Sequence, residues 1–346
     1  MKQLIRKVIG RQNLTRDEAA YAMTQIMEGE ATPSQIAALA VALRMKGETA
    51  DELTGFAKVM RDFAIHVPVT TSKVVIDTCG TGGDSLKTFN VSTSAAIVVA
   101  ATAKVAVAKH GNRAATSKCG SADVLEALGV RLELAPNLIG RCIDEIGIGF
   151  LYARQMHPAL KYAAVPRQEI GTASFFNILG PLTNPASATV QLIGVNDASL
   201  CDMLAQVLRN LGSDRAIMVH GVHGLDELST LGDTLVSELV RGEIRSYTLN
   251  AQRDLGIPEA TIDSLAAGET ASENALILRG VIEGRDKGPR QDIVALNAAG
   301  VLLAAGITDD LRMGVDMATE TIESGAASRT LNLLIEFTND AHATAL

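Results

Sequence analysis

A chain of 346 residues holds one large domain or two ordinary ones, and an apolar content of 47% can fill a core. Aromatics make up 3% and Trp is absent, so that core is built mainly of Ala, Val, Leu and Ile. The net charge of −8 excludes a broad basic surface for nucleic acid and leaves an anionic small molecule to bind through a local site.

The N-terminus "MKQLIRKVIGRQNLTRDEAAY" is amphipathic and lacks the continuous apolar run of a signal peptide. Three Thr residues then each stand three positions ahead of Glu or Gln: "TRDE" at 15–18, "TPSQ" at 32–35 and "TADE" at 49–52. This is the capping box, in which the Thr side chain takes an orphan amide and the Glu or Gln reaches back. Pro33 suits a first helical position, and Gly29 and Gly47 fall at helix ends. A small bundle of three capped helices after a short first one is therefore expected.

From Ser72 the texture changes. "KVVIDT" reads as a strand, followed by a glycine-rich loop and an apolar helix from about Ser92. "KVAVAKHG" is a second strand, ending in a polar loop before the helix "SADVLEALG". "IGFLY", "TVQLIGV" and "RAIMVHG" are further short strands with helical segments between them, and Ala/Leu-rich helix resumes at about Ser272. Strands alternating with helices imply parallel βαβ units, whose ligands gather beyond the carboxyl ends of the strands. The most apolar stretch, residues 95–108, contains Lys104 and is shorter than the ~20 residues a bilayer span needs. Cys79, Cys119, Cys142 and Cys201 show no C-x-x-C pair and no zinc spacing, so they read as reduced thiols. The expectation is a soluble cytoplasmic protein with no membrane or nucleic-acid partner.

Four loops carry candidate chemistry. "DTCGTGGDSLKTFNVSTS" at 77–94 joins a strand to a helix start. Glycine lets the backbone approach a ligand closely, helix N-terminal amides point at anions, and Thr88, Asn90, Ser92 and Thr93 add hydroxyl and amide groups. The loop matches neither G-x-x-x-x-G-K-[ST] nor G-x-G-x-x-G, and a plain tight turn with a capped helix has the same composition. "KHGNRAATSKCGSAD" at 109–123 concentrates Lys109, His110, Arg113 and Lys118 in an otherwise acidic chain, with Asn112, Ser117 and Ser121 beside them. Arg and Lys after a strand suit a polyphosphate, whereas a lone His is more often a structural hydrogen-bonder. "HGLDELS" places Asp226 next to Glu227; shared metal binding by neighbours requires a loop or strand end, and a solvated acidic pair is the plainer alternative. Arg167 in "AAVPRQEIG" offers a fork for a carboxylate or a surface ion pair with Glu169.

Taken together, "GTGGDSLKTFNVST", "KHGNRAATSKCGSADVLEALG", "FFNILGPLTNP" and "GLDELS" resemble, in order and approximate spacing, the anthranilate phosphoribosyltransferases. The resemblance covers nearly the whole chain. It implies an α/β fold: a small N-terminal helical domain (1–70, joined by a helical insertion near 172–185) packed on a larger domain (73–346) with a mainly parallel sheet, and a homodimer formed through the helical domain. It also implies that Gly80, Gly83, Asp84, Thr88, Asn90, Val91, Ser92, Thr93, Lys109 and Ser121 bind phosphoribosyl diphosphate. Ser92, Asp226 and Glu227 would hold Mg²⁺, two ions per site. Gly80, His110, Asn112 and Arg167 would line the anthranilate pocket, with Lys109 and His110 assisting. The chain departs from the family's usual pattern at Ala173 and Ser174, where Arg-Thr precedes "FN", and at Arg154, Thr116 and His223.

The implied reaction displaces pyrophosphate from the ribose anomeric carbon by the anthranilate amine. An arylamine is neutral at pH 7 and needs no strong base, consistent with motifs that lack a nucleophile–base pair. A pyrimidine nucleoside phosphorylase-like enzyme is the alternative, although the intact glycine loop and the "LDE" carboxylates favour a diphosphate with Mg²⁺. A non-catalytic nucleic-acid binder would need a basic face, and a helical scaffold would leave the phosphate-type loops without a role.

Overall fold

Four helices open the chain: α1 (Lys2–Ile9), α2 (Arg16–Met27), α3 (Pro33–Lys46) and α4 (Ala50–Asp62). Thr15, Thr32 and Thr49 cap the last three with complete capping boxes. Gly47 ends α3 at φ 88°, a left-handed conformation that glycine adopts without a Cβ penalty. Glu52 has a second task. Fully buried, its carboxylate accepts from the Leu14 and Thr49 amides at 2.9 and 2.8 Å and pairs with Lys46 Nζ at 3.0 Å. The buried charge is thus compensated, as it must be in a low-dielectric interior.

The computed structural model describes residues 1–83, 86–114 and 119–345, with side chains through residue 340. Asp84, Thr116, Ser117 and Lys118, singled out in the sequence, lie outside the described residues.

Seven strands form one sheet: β1 (Val75–Thr78), β2 (Ala106–Gly111), β3 (Ile148–Tyr152), β4 (Val190–Gly194), β5 (Arg215–Gly221), β6 (Asp233–Val240) and β7 (Glu243–Asn250). Their order is β3-β2-β1-β4-β5-β6-β7; the first five run parallel and the last two antiparallel. The β6–β7 hairpin is absent from the sequence reading. Its two-residue turn, Arg241 (φ 50°) and Gly242 (φ 87°), puts both central residues in the left-handed region. That is the geometry Asn-Gly usually signals, and Arg-Gly does not announce it.

The remaining helices are α5 (Val91–Ala101), α6 (Ser121–Ala127), α7 (Pro136–Ile146), α8 (Ala153–Met156), α9 (Lys161–Ile170), α10 (Phe175–Leu179), α11 (Leu200–Asn210), α12 (Ala251–Leu255), α13 (Ala271–Ile282), α14 (Pro289–Ala304), α15 (Leu311–Glu323) and α16 (Ala326–Ala345). Alternate residues of the strands point to opposite faces, and both faces are covered. Leu192, Ile217 and Val219 join one core with α5, α6 and α13 through α16; Ile193, Ala216 and Met218 join another with α11 and the four N-terminal helices. The second core also takes in α10. Phe175 stacks on Phe56 of α4 at 4.5 Å and on Phe176 at 4.2 Å, and Arg61 Nε donates to the Leu182 carbonyl at 2.7 Å.

Candidate active site

The strand order places the topological switch between β1 and β4, where the chain leaves the sheet in opposite directions and opens a crevice beyond the strand ends. The glycine-rich loop leaves β1 at that point. Its Thr81 amide donates to the Gly194 carbonyl at the end of β4 (2.8 Å), and its Gly82 amide donates to Asp226 Oδ2 (3.1 Å). A Cβ on Gly80 would stand 2.6 Å from Asp226 Oδ2, and one on Gly194 would stand 1.6 Å from the Asp226 carbonyl. Two glycines thus make room for one carboxylate-bearing loop. Gly83 (φ 81°) continues the turn, held by Asn196 Nδ2 donating to its carbonyl at 3.3 Å.

Asp226 and Glu227 lie in a bend after β5, not on a regular strand, so adjacency does not force their side chains apart. Asp226 reaches the glycine loop. Buried Glu227 reaches the N-terminus of α5, where Oε1 accepts from the Ser92 amide at 3.1 Å. A carboxylate there is favoured by the helix dipole. Thr88 sits on an isolated bridge to Ala266, Val91 and Thr93 are buried in the first turn of α5, and Thr78 Oγ1 donates to the Ser92 carbonyl at 3.1 Å. Asn90 donates from Nδ2 to the Cys119 carbonyl at 3.2 Å, while its buried Oδ1 has no partner among the described residues. The carboxylates and hydroxyls here are hard oxygen donors of the kind that suits Mg²⁺.

On the neighbouring strand β2, Lys109 is buried and its Nζ donates to the Thr78 carbonyl. Asp77, fully buried, is its counter-charge. One carboxylate oxygen accepts from the His110 amide (3.0 Å) and the other from Asn184 Nδ2 (2.8 Å). Burial pushes Asp77 up to about 6, against the pull of Lys109 and these hydrogen bonds. Burial also pushes the Cys79 thiol up to about 12, with Asp77, Asp226 and Glu227 adding to it, so it is no thiolate nucleophile. Asp77, Cys79 and His110 offer ligand atoms within 4.8 Å of one another. With both Asp77 oxygens already accepting and the Lys109 charge nearby, this cluster is a hydrogen-bonded structural node rather than a cation cage.

The His110 ring is buried, with Nδ1 3.1 Å from the Gly180 carbonyl. Burial, then His157 and Lys109, lower its pKa to about 3. The ring is therefore neutral, Nδ1 carries the proton, and Nε2 is a lone-pair acceptor with no partner among the described residues. A buried acceptor of this kind costs about 1–3 kcal/mol until a donor reaches it.

Arg113 differs from expectation. It is exposed and bound to Asp123 at 3.1 Å and Glu126 at 2.8 Å, with its guanidinium over the Tyr152 ring, and these partners hold its pKa above the ordinary value. The fork expected to grip a polyphosphate is spent on anchoring α6. Exposed Asn112 accepts the Arg113 amide on its side chain (2.8 Å) and the Ala122 amide on its carbonyl (3.1 Å), and Ser121 Oγ donates to that carbonyl at 3.4 Å. Arg167, half-buried in the last turn of α9, lies over the Phe176 ring at 5.3 Å and makes no ion pair with Glu169 among the described residues. Burial lowers its pKa. The sequence analysis assigned no role to four participants: Asp77 and Asn184, which lie within quoted motifs, His157, and Gly194, which shows only as a glycine closing a strand in "QLIGV".

Residues 2–64 match the family description "Glycosyl transferase family, helical bundle domain", and residues 72–328 match "Glycosyl transferase family, a/b domain". The chain is 53% identical to an anthranilate phosphoribosyltransferase of Moorella thermoacetica over 97% of each protein. Among solved structures it resembles the anthranilate phosphoribosyltransferase (TrpD) of Thermus thermophilus, with a TM-score of 0.91 and 42% identity over 97% of this chain and 99% of that one. It also resembles the Saccharomyces cerevisiae anthranilate phosphoribosyltransferase in complex with PRPP and Mg, with a TM-score of 0.87 and 26% identity over 97% of each chain.

Proposed function

The chain belongs to the anthranilate phosphoribosyltransferase family, and on that premise we propose that it transfers the phosphoribosyl group of phosphoribosyl diphosphate to the anthranilate amine, in tryptophan biosynthesis. The observation that carries this reading is the convergence of the glycine loop, the α5 N-terminus, Asp226 and Glu227 at the β1/β4 switch point. Backbone amides at Gly80 and Gly83, with Thr88, Asn90, Val91, Ser92 and Thr93, receive the diphosphate and the 5-phosphate, and Lys109 and Ser121 complete the set. Asp84 belongs to the same loop. Ser92, Asp226 and Glu227 would hold Mg²⁺, two ions per site; bound there, the metal would neutralise charge on the leaving pyrophosphate.

In the reaction, the amine nitrogen forms a bond to the anomeric carbon as the carbon–oxygen bond to pyrophosphate breaks and its electron pair leaves with that oxygen. The nitrogen then sheds a proton. Charge develops positively on the ribose ring and negatively on the leaving group, and Lys109 with the loop amides stabilises the latter. Holding both substrates in line supplies the rest, with no covalent enzyme intermediate. Arg167 grips the anthranilate carboxylate, and His110 and Asn112 line the same pocket beside Gly80.

Asp226 and Glu227, poised for a metal-bound diphosphate, disfavour the nucleoside phosphorylase alternative, which needs only phosphate and a nucleoside. We further infer a helical unit of residues 1–70, with the 172–185 insertion, on an α/β unit of residues 73–346. Exposed Val41 and Met45 on α3 support homodimerisation through the helical unit. Among the described residues no helix is long and apolar enough to cross a membrane, and the proposed location is the cytoplasm. The decisive assay mixes the protein with anthranilate, phosphoribosyl diphosphate and Mg²⁺. Anthranilate fluorescence falls only when all three are present; a constant signal refutes the reading, and phosphorolysis of thymidine or uridine would revive the alternative.

A further inference from the structure

Asp226 and Glu227 span the gap between two anchored leucines, Leu225 and Leu228, both buried. The Gly221 amide, at the end of β5, donates to the Leu225 carbonyl at 2.8 Å. The second anchor is a side chain. Asn297 of α14 is fully buried; its Oδ1 accepts from the Leu228 amide at 2.9 Å, and its Nδ2 donates to the Leu228 carbonyl at 2.9 Å. Nδ2 also donates to the Ile293 carbonyl, one turn earlier in the helix, at 2.8 Å. One amide thus takes both backbone groups of the residue that follows Glu227, as a neighbouring strand would. Gly300, almost one turn further along α14, faces the same residue: a Cβ there would stand 2.5 Å from Leu228 Cδ1.

An amide buried among the Ala, Val and Leu of α14 is costly unless its groups are paired, and once paired it holds its partner rigidly. The same core takes in α5, whose first turn receives Glu227 at the Ser92 amide. We propose that Asn297 is a positioning residue for the metal-holding carboxylates: by fixing the Leu228 backbone, it sets where Asp226 and Glu227 present their oxygens. The inference rests on the transferase reading above. Groups that orient metal ligands from behind typically contribute about 10- to 100-fold to metal affinity.

A second asparagine supplies the comparison. Buried Asn274 of α13 grips Gly268 in the same manner, accepting from its amide at 3.1 Å and donating to its carbonyl at 3.0 Å, with a further bond to the Thr270 carbonyl at 2.8 Å. The loop it holds carries none of the proposed metal ligands.

The test titrates phosphoribosyl diphosphate into the full chain by calorimetry across a Mg²⁺ series. Anthranilate is left out, so the readout is independent of turnover. Wild-type binding that tightens with Mg²⁺ establishes the parent reading. Wild-type binding indifferent to Mg²⁺ would condemn that reading, whereas the outcomes below compare variants with wild type. Asn297→Ala is expected to raise the Mg²⁺ concentration at half-effect about 10-fold, with affinity for metal-free phosphoribosyl diphosphate held within about twofold. Asn274→Ala removes an equal set of bonds; it lowers the urea midpoint comparably and leaves the Mg²⁺ midpoint in place. General loosening of the fold would act on both variants alike. Equal Mg²⁺ shifts in the two, or none in Asn297→Ala, therefore overturn the proposal. Should Asn297→Ala fail to fold, Gly300→Ala decides, since it keeps the amide and pushes on Leu228 instead. A raised Mg²⁺ midpoint supports the assignment, and an unmoved one overturns it.

Discussion

The two sides of the crevice solve opposite electrostatic problems. On the α5 side, carboxylates, a buried lysine and loop amides crowd together, each anchored to a different element: Asp226 to Gly82, Glu227 to Ser92, Lys109 to Thr78. On the side of the Gly180–Leu182 turn, His110 and His157 are stripped of charge by burial, and His110 is held by the Gly180 carbonyl. Charged groups suit a polyphosphate leaving group; neutral acceptors suit an uncharged amine. Asp77 and Asn184 tie the sides together, because the aspartate that accepts the His110 amide lies in β1, directly ahead of the glycine loop.

The contrast breaks most sharply on the charged side. Asp226→Asn with Glu227→Gln is expected to lower turnover at limiting Mg²⁺ by about 10³-fold, read by steady-state kinetics across a Mg²⁺ series. Unchanged rates would remove the metal assignment. Gly194→Ala comes next. Its methyl would overlap the Asp226 backbone, and a loss of about 3 kcal/mol in urea denaturation is expected, together with weaker Mg²⁺ dependence. A stable variant with normal Mg²⁺ response would show that the Asp226 loop relaxes freely.

On the neutral side, Arg167→Ala should raise the anthranilate KM about tenfold or more while changing that of phosphoribosyl diphosphate little. Equal effects on both substrates would count against a carboxylate clamp. The smallest effect is in stability against pH. His110 and His157 titrate at about 3 and 4 when folded, below their ordinary 6.5. The unfolded chain therefore binds more protons across that window. Their contribution is complete above about pH 6.5 and is lost as pH falls towards the folded values. Asp77, raised from 3.8 to about 6, acts with the opposite sign between those two values, one group against two. The melting temperature should fall by about 5 °C from pH 7 to pH 5, and less in His157→Phe. An equal fall in both proteins would contradict burial of a neutral His157.

What was legible in the sequence follows the same division. The capped helices were readable because the capping box is a local device, complete within four residues of Thr15, Thr32 and Thr49. The parallel strands were readable because each is a short apolar run between polar loops. The β6–β7 hairpin was not: β7 ("EIRSYTLN") is largely exposed, and the Arg241-Gly242 turn lacks the usual residue pair. In the site, the glycine loop and the two carboxylates stood out as dense local patterns. The roles of Asn184, Gly194 and His157 did not, because each acts across distance in the sequence. Asn184 reaches Asp77 over 107 positions, and Gly194 matters only because the Asp226 backbone passes its Cα. Arg113 misled for the same reason, since Glu126 lies on the next helix, thirteen residues away.

The central claim is that a phosphoribosyl diphosphate–Mg²⁺ complex sits between the glycine loop and the α5 N-terminus, under Asp226 and Glu227. Isothermal titration of phosphoribosyl diphosphate into the protein tests it most directly, with and without Mg²⁺. The account predicts one site per chain with Mg²⁺, weakened at least about tenfold by removing the metal or by Asp226→Asn with Glu227→Gln. Binding of equal strength in all three cases, or none with Mg²⁺ present, would contradict it.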